Sequence, residues 1–135
     1  MSEQKLSIVT VDDSGIVLMT LDKILSEYGF EVKGFSKGIR ALKYLKTTVP
    51  DLIILDIDMP EINGFEMLKM IKEREELEIV PVIFLTSNNG QKDVINAVKG
   101  GASDYIVKPI KKDVLINKIN NIFGLKKEKL SWDDI

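Results

Sequence analysis

Apolar residues along this chain come in short blocks, and the spacing inside the blocks switches between two patterns. Leu6-Ser7-Ile8-Val9-Thr10-Val11 is β-branched and apolar and ends abruptly at Asp12-Asp13, as a strand entering a loop does. Val17, Leu21, Ile24, Leu25 and Tyr28 then repeat at helical spacing, with Ser14 as N-cap and Gly29 as stop. Phe30 to Phe35 alternates and is less apolar, which suits an edge strand. Ser36 opens a short helix through Ala41, Leu42 and Leu45, ended by Thr47-Thr48-Val49-Pro50. In Leu52-Ile53-Ile54-Leu55-Asp56 the apolar residues occupy every position, the mark of a central parallel strand covered on both faces. Asn63 and Glu66 form a capping-box pattern for a helix through Met67, Leu68 and Ile71. Val80 to Leu85 is a fourth strand ending at Thr86, and Asn88 or Asn89 opens a helix carrying Val94, Ala97 and Val98, closed by Gly100-Gly101. Asp104-Tyr105-Ile106-Val107 is a short fifth strand running into Lys108-Pro109. The last helix uses Val114, Leu115, Ile119, Ile122 and Phe123 and stops at Gly124.

Strict alternation of five strands with five helices demands a parallel sheet with right-handed crossovers and helices on both faces. The first, third and fourth strands are the most apolar and belong in the middle. That predicts an α/β, doubly wound (βα)5 sandwich in the flavodoxin-like order 2-1-3-4-5, with its topological switch point between strands one and three. The 135 residues suit one domain, over residues 1–124, followed by a charged tail or linker over 125–135 that holds Lys126-Lys127-Glu128-Lys129 and a lone Trp132.

Composition narrows the chemistry. Apolar residues make up 44% and charged residues 30%, the profile of a globular domain with a real core, and the net charge of −2 gives no reason to expect nucleic acid or an anionic membrane as partner. Neither a spanning apolar run nor a signal-peptide core is present, so the expected location is the cytoplasm. There is no cysteine and no histidine, which excludes disulfides, thiolate nucleophiles, Ser-His-Asp triads and His-ligated metals. Carboxylates, hydroxyls, lysines and a hard, oxygen-loving cation remain.

Those groups collect at the strand ends. In the order 2-1-3-4-5, Asp12, Asp13 and Asp56 converge at the crevice where such sheets bind ligands, with Thr86 closing strand four and Lys108 strand five. Unit charges about 4 Å apart repel by about 4 kcal/mol at an effective dielectric near 20. A few such pairs rival the whole stability of a domain, about 5–15 kcal/mol. Either one acid is protonated or a cation sits among them, and carboxylate, carbonyl and water oxygens suit Mg²⁺. A cation and a lysine flanking one carboxylate form a seat for a phosphoryl group, with the carboxylate as nucleophile.

Asp12-Asp13, Asp56, Met59-Pro60 with Asn63-Gly64 behind it, Thr86-Ser87 and Lys108-Pro109, in this order, resemble the receiver domain of bacterial two-component response regulators over residues from about 5 to 123. The resemblance implies a chemotaxis-regulator-like signalling switch, not an enzyme acting on other molecules. It implies that Asp56 accepts a phosphoryl group from a sensor histidine kinase or phosphotransfer protein. Asp13 and Asp56 would ligate Mg²⁺ (with Mn²⁺ as substitute) by side chain, Asp12 through water and Asp58 by its backbone carbonyl. Lys108, with a cis bond to Pro109, would pair with the acyl phosphate. Thr86 and Ser87 form the phosphate-binding end of strand four, and Tyr105 turns inward when Thr86 moves. Asp58 and Asn88 would tune the lifetime of the phosphorylated form. Output would pass through the fourth helix, fifth strand and last helix to a partner, a fused output domain or a second copy in a phosphorylation-dependent homodimer.

Two other readings compete. Asp56-Ile57-Asp58 also fits the nucleophile motif of haloacid-dehalogenase-like phosphohydrolases, although that family's second acidic pair comes late in the chain and here Asp12-Asp13 comes first. A phosphorylation-independent interaction module would not need Asp13, Asp56, Thr86 and Lys108 together. A nucleotide site is weaker still, because Asp12-Asp13-Ser14-Gly15 is acidic and lacks the glycines that admit a pyrophosphate.

Overall fold

The computed structural model describes residues 5–87, 96 and 99–124. Five parallel strands, β1 (Ser7–Val11), β2 (Glu31–Phe35), β3 (Leu52–Asp56), β4 (Val82–Thr86) and β5 (Asp104–Val107), form one sheet in the order β2-β1-β3-β4-β5. The described helices are α1 (Gly15–Glu27), α2 (Gly38–Leu45), α3 (Gly64–Lys72) and α4 (Lys112–Phe123). The helix expected from Asn88 or Asn89 through Val98 falls largely outside the described residues. At its far end the Gly100 N–H donates to the Asn96 carbonyl, and Gly101 takes a φ of 94°. Asn88 itself, the tail and Trp132 also lie outside them.

Alternation along each strand sends successive side chains to opposite faces, and each face has its own core. Val9, Val11, Ile53, Leu55, Val82 and Phe84 pack with Ala41 and Leu45 of α2 and Met67, Leu68 and Ile71 of α3. Ile8, Leu52, Ile54, Ile83, Leu85 and Ile106 pack with Leu21 and Leu25 of α1 and Leu115, Ile116 and Ile119 of α4. β3 and β4 are buried at every position, because both of their faces are covered. Each fully buried aliphatic side chain contributes about 1.5–3 kcal/mol.

The helix termini follow local chemistry with a few departures. Ser14 caps α1 by accepting from the Val17 N–H, and Asn63 and Glu66 close a complete capping box on α3. Gly29 and Gly124 take the left-handed φ values of 88° and 69° that stop α1 and α4. Ser36 does not open α2: the helix starts at Gly38, with Lys37 as N-cap and no side-chain cap bond. The first turn packs closely on its neighbours: a Cβ on Gly38 would come within 2.7 Å of Ile62 Cγ2 in the β3–α3 loop and 2.8 Å of Met67 Sδ on α3. Tyr28 and Val114 match the helical periodicity yet are exposed, while Ile116 and Leu77 are buried instead. Val80 and Pro81 precede β4 rather than belonging to it, although Val80 is buried.

Candidate functional site

The register of the sheet assembles the site. Val11 pairs with Leu55, Asp56 with Leu85, and Thr86 with Val107. One step beyond Val11 and Leu55, the chain reaches Asp12 next to Asp56; one step beyond Val107 it reaches Lys108. The Asp12 N–H donates to the Phe35 carbonyl at 3.1 Å and the Lys108 N–H to the Thr86 carbonyl at 2.7 Å. Both residues are thus held as continuations of the ladder rather than as free loop positions.

Asp12, Asp13 and Asp56 each present a carboxylate oxygen within 4.8 Å of the others. Asp12 and Asp56 are almost wholly buried and Asp13 is exposed at the rim. Lys108 Nζ lies 2.8 Å from Asp12 Oδ2 and 3.5 Å from Asp56 Oδ2, and the Lys108–Pro109 bond is cis, as expected. The remaining oxygens are held by the backbone. Asp12 Oδ1 accepts from the Ser14 N–H at 2.9 Å, and Asp56 Oδ1 accepts from the Asp58 N–H at 3.2 Å. The close approach behind Asp56 needs a glycine: a Cβ on Gly64 would lie 2.7 Å from the Asp56 carbonyl oxygen and 2.8 Å from Ile57 Cα. Glu61, three residues earlier, holds a strained φ of 70°.

One lysine does not neutralise three acids. Burial, and after it the charge of Asp12, push the Asp56 carboxyl up from 3.8 to about 6; Lys108 and the Asp58 N–H pull down, and Asp13 adds to the rise. For Lys108, burial favours the neutral amine, but its contacts with Asp12 and then Asp56 outweigh that and raise its pKa. Asp12 Oδ2 is fully buried, and among the described residues its one close partner is the Lys108 ammonium at 2.8 Å. A buried, under-satisfied carboxylate oxygen among hard oxygen donors suits a small divalent cation.

The expected switch residues sit close by. Thr86 is buried at the end of β4, Ser87 is exposed just beyond it, and the Asp58 side chain is exposed. Tyr105 is half-buried against the α2–α3 core, with Lys118 Nζ 5.3 Å from its ring centroid. Lys118 also pairs with Asp104 at 2.8 Å. Neither Lys118 nor the packing roles of Gly38 and Gly64 is visible in the residue pattern alone, although Asn63-Gly64 marked the second position.

A parallel α/β sheet whose strand ends bring buried acids and one lysine together defines a class of phosphoryl- and cation-handling domains. A family model, the response regulator receiver domain, matches residues 8–120, and the chain belongs to that family. The chemotaxis protein CheY1 of Helicobacter pylori is 31% identical over 121 residues, which cover 88% of this chain and 98% of that protein. The transcriptional regulatory protein AfsQ1 of Streptomyces coelicolor is 34% identical over 116 residues, 86% of this chain and 50% of that protein. The chain spans about half or less of the length of several curated relatives that it matches. Among solved structures, the receiver domain of the sensor histidine kinase PA1611 from Pseudomonas aeruginosa has a magnesium ion coordinated in its active site cleft. It superimposes with a TM-score of 0.82 at 27% identity, over 90% of this chain and 99% of that one. Family membership favours the receiver over the phosphohydrolase.

Proposed function

We propose that the domain, over residues 1–124, is a cytoplasmic phosphorylation switch in which Asp56 accepts a phosphoryl group from a phosphohistidine on a sensor histidine kinase or phosphotransfer protein. The observation that carries the reading is a buried carboxylate at the end of β3 with a lysine ammonium 3.5 Å away and two further acids within 4.8 Å. An Asp56 oxygen attacks phosphorus, the P–O bond forms and the P–N bond breaks, and the departing imidazole nitrogen keeps the electron pair. Reversal to the resting state is attack of water on phosphorus, releasing phosphate and the Asp56 carboxylate.

The tasks divide among the surrounding groups. Asp58, through its N–H, holds Asp56 Oδ1 and leaves Oδ2 toward Lys108. The Lys108 ammonium neutralises a phosphoryl oxygen and, because its pKa is raised, stays charged throughout. Asp13 and Asp56 by side chain, Asp12 through water and the Asp58 carbonyl would hold Mg²⁺, or Mn²⁺ in its place. That ion supplies the positive charge that three acids and the incoming phosphoryl group require. Thr86 and Ser87 bind the phosphoryl group from the end of β4, and Tyr105 follows Thr86 inward. The Asp58 side chain and Asn88 set the lifetime of the product. Readout passes through the segment between β4 and β5, β5 and α4 to an output partner, a fused domain or a second copy. The chain's own catalysis is limited to its phosphorylation and dephosphorylation.

Intact-mass analysis after Mg²⁺ and acetyl phosphate tests this. The native chain should gain one labile phosphoryl group that hydroxylamine removes, as an acyl phosphate requires, and Asp56→Asn none. Equal labelling of the two, or no labelling of either, defeats the assignment.

A further inference from the structure

A second feature lies on the far side of the sheet from β5. β2 is an edge strand, and no described strand lies beyond it. The Glu31 N–H donates to Leu6, and the Phe35 carbonyl accepts from Asp12, so alternate residues Glu31, Lys33 and Phe35 turn their backbone groups toward β1. By the period of a parallel ladder, Val32 and Gly34 turn theirs to the open side. Beside this edge runs a groove of about 810 Å³ between β2 and α2, lined among others by Lys33, Phe35, Ile39, Arg40, Lys43 and Tyr44.

The chemistry of the groove is one-sided. From Lys37 to Lys46 the chain carries Lys37, Arg40, Lys43 and Lys46 and no acid, although its net charge is −2. Glu31, at the far end of β2, is the acid on the same strand. Lys33, Arg40 and Lys43 are exposed at the groove and none has an ion pair among the described residues. The Phe35 and Tyr44 rings, 5.2 Å apart, form its floor, and Ile39 stands 53% exposed on its wall. Cations, an apolar wall and an unpaired backbone edge together match an extended chain with alternating acidic and apolar side chains. A nucleic acid would meet the cations but offers no amide ladder to the strand edge. A second copy docking by the same face would set the two cation rows against each other.

We propose that the β2 edge and the β2–α2 groove bind an extended acidic segment of a partner protein, which adds as a sixth strand along Val32 and Gly34 and places its acids on Lys33, Arg40 and Lys43. This surface is separate from the phosphoryl site and from the β5–α4 face, so the proposal stands independently of the proposed function. The test titrates the full chain with a short labelled peptide alternating glutamate and valine. Binding should shift the amide resonances of Val32 and Gly34 and protect them from exchange. Arg40→Glu with Lys43→Glu should weaken binding about tenfold or more, equivalent to about 1.4 kcal/mol, while Lys23→Glu on α1 should leave it unchanged. N-methylation of alternate peptide residues, which keeps every charge and leaves the protein untouched, should abolish it. Equal binding by the N-methylated peptide would overturn strand addition. So would an equal loss in Lys23→Glu, or capture of oligothymidylate or anionic vesicles with no binding of the peptide.

Discussion

Replacing Asp56 by asparagine should make the metal-free protein more stable, although it removes the residue that the reaction depends on. In the folded chain burial and the charge of Asp12 raise Asp56 to about 6 from an ordinary 3.8. A raised carboxylate pKa means that the folded state binds a proton more readily than the unfolded state. The ionised form therefore costs stability, and the cost grows as pH rises from about 4 through 6 and is complete above that. At 1.36 kcal/mol per pH unit, the difference between the two values is about 3 kcal/mol. Asparagine keeps the oxygen that accepts the Asp58 N–H at 3.2 Å and removes the charge, while giving up the attraction of Lys108. The assay is urea unfolding in EDTA at pH 8 and pH 4.5. Asp56→Asn should gain about 2–3 kcal/mol at pH 8 and little at pH 4.5, where Asp56 is protonated in the folded native protein. Millimolar Mg²⁺ should shrink the gap at pH 8 by stabilising the native chain through linkage. A variant less stable than native at pH 8, or a gain independent of pH, would show that burial and the charge of Asp12 do not penalise the ionised Asp56.

Three further outcomes follow from the same geometry. Gly64→Ala would drive a Cβ against the Asp56 carbonyl oxygen at 2.7 Å. It should cost at least about 2 kcal/mol in thermal unfolding and slow acetyl phosphate labelling; native behaviour in both would refute the close approach. Thr10 Oγ1 is buried in the sheet with no hydrogen-bond partner among the described residues, so Thr10→Val should stabilise by about 1 kcal/mol, and a loss of stability would reveal a partner for the hydroxyl. Asp58→Asn should change the rate at which the phosphorylated form decays while Mg²⁺ binding, read by Trp or Tyr fluorescence titration, survives; an unchanged lifetime sinks the tuning role.

Local pattern was enough for most of the scaffold. Blocks such as Leu52–Leu55 can be buried only in a sheet covered on both sides, and apolar residues at helical spacing can be buried only along one face. Capping chemistry at Ser14, Asn63 and Glu66 and the glycine stops at Gly29 and Gly124 act within a few residues, so they are written where they work. The strand-end acids and Lys108 were legible for the same reason: each is the first charged residue after an apolar run, and the strand order fixes which runs are neighbours.

What depended on distant segments was not legible. The helix α2 starts at Gly38 with Lys37 as N-cap rather than at Ser36, and the close approach of Ile62 and Met67 to Gly38 is made by segments more than twenty residues away. Val114 fits the helical period yet faces solvent, because only the placement of α4 on the sheet decides which stripe is covered, and it chose Ile116. The electrostatics are of the same kind. That Asp12 and Asp56 share one lysine, and that burial and then the charge of Asp12 raise Asp56, follows from the register of β1, β3, β4 and β5, which brings together Asp12, Asp56 and Lys108 from positions more than forty residues apart. Sequence spacing names the charges; only the packed sheet fixes their separations, and Coulomb energy depends on separation.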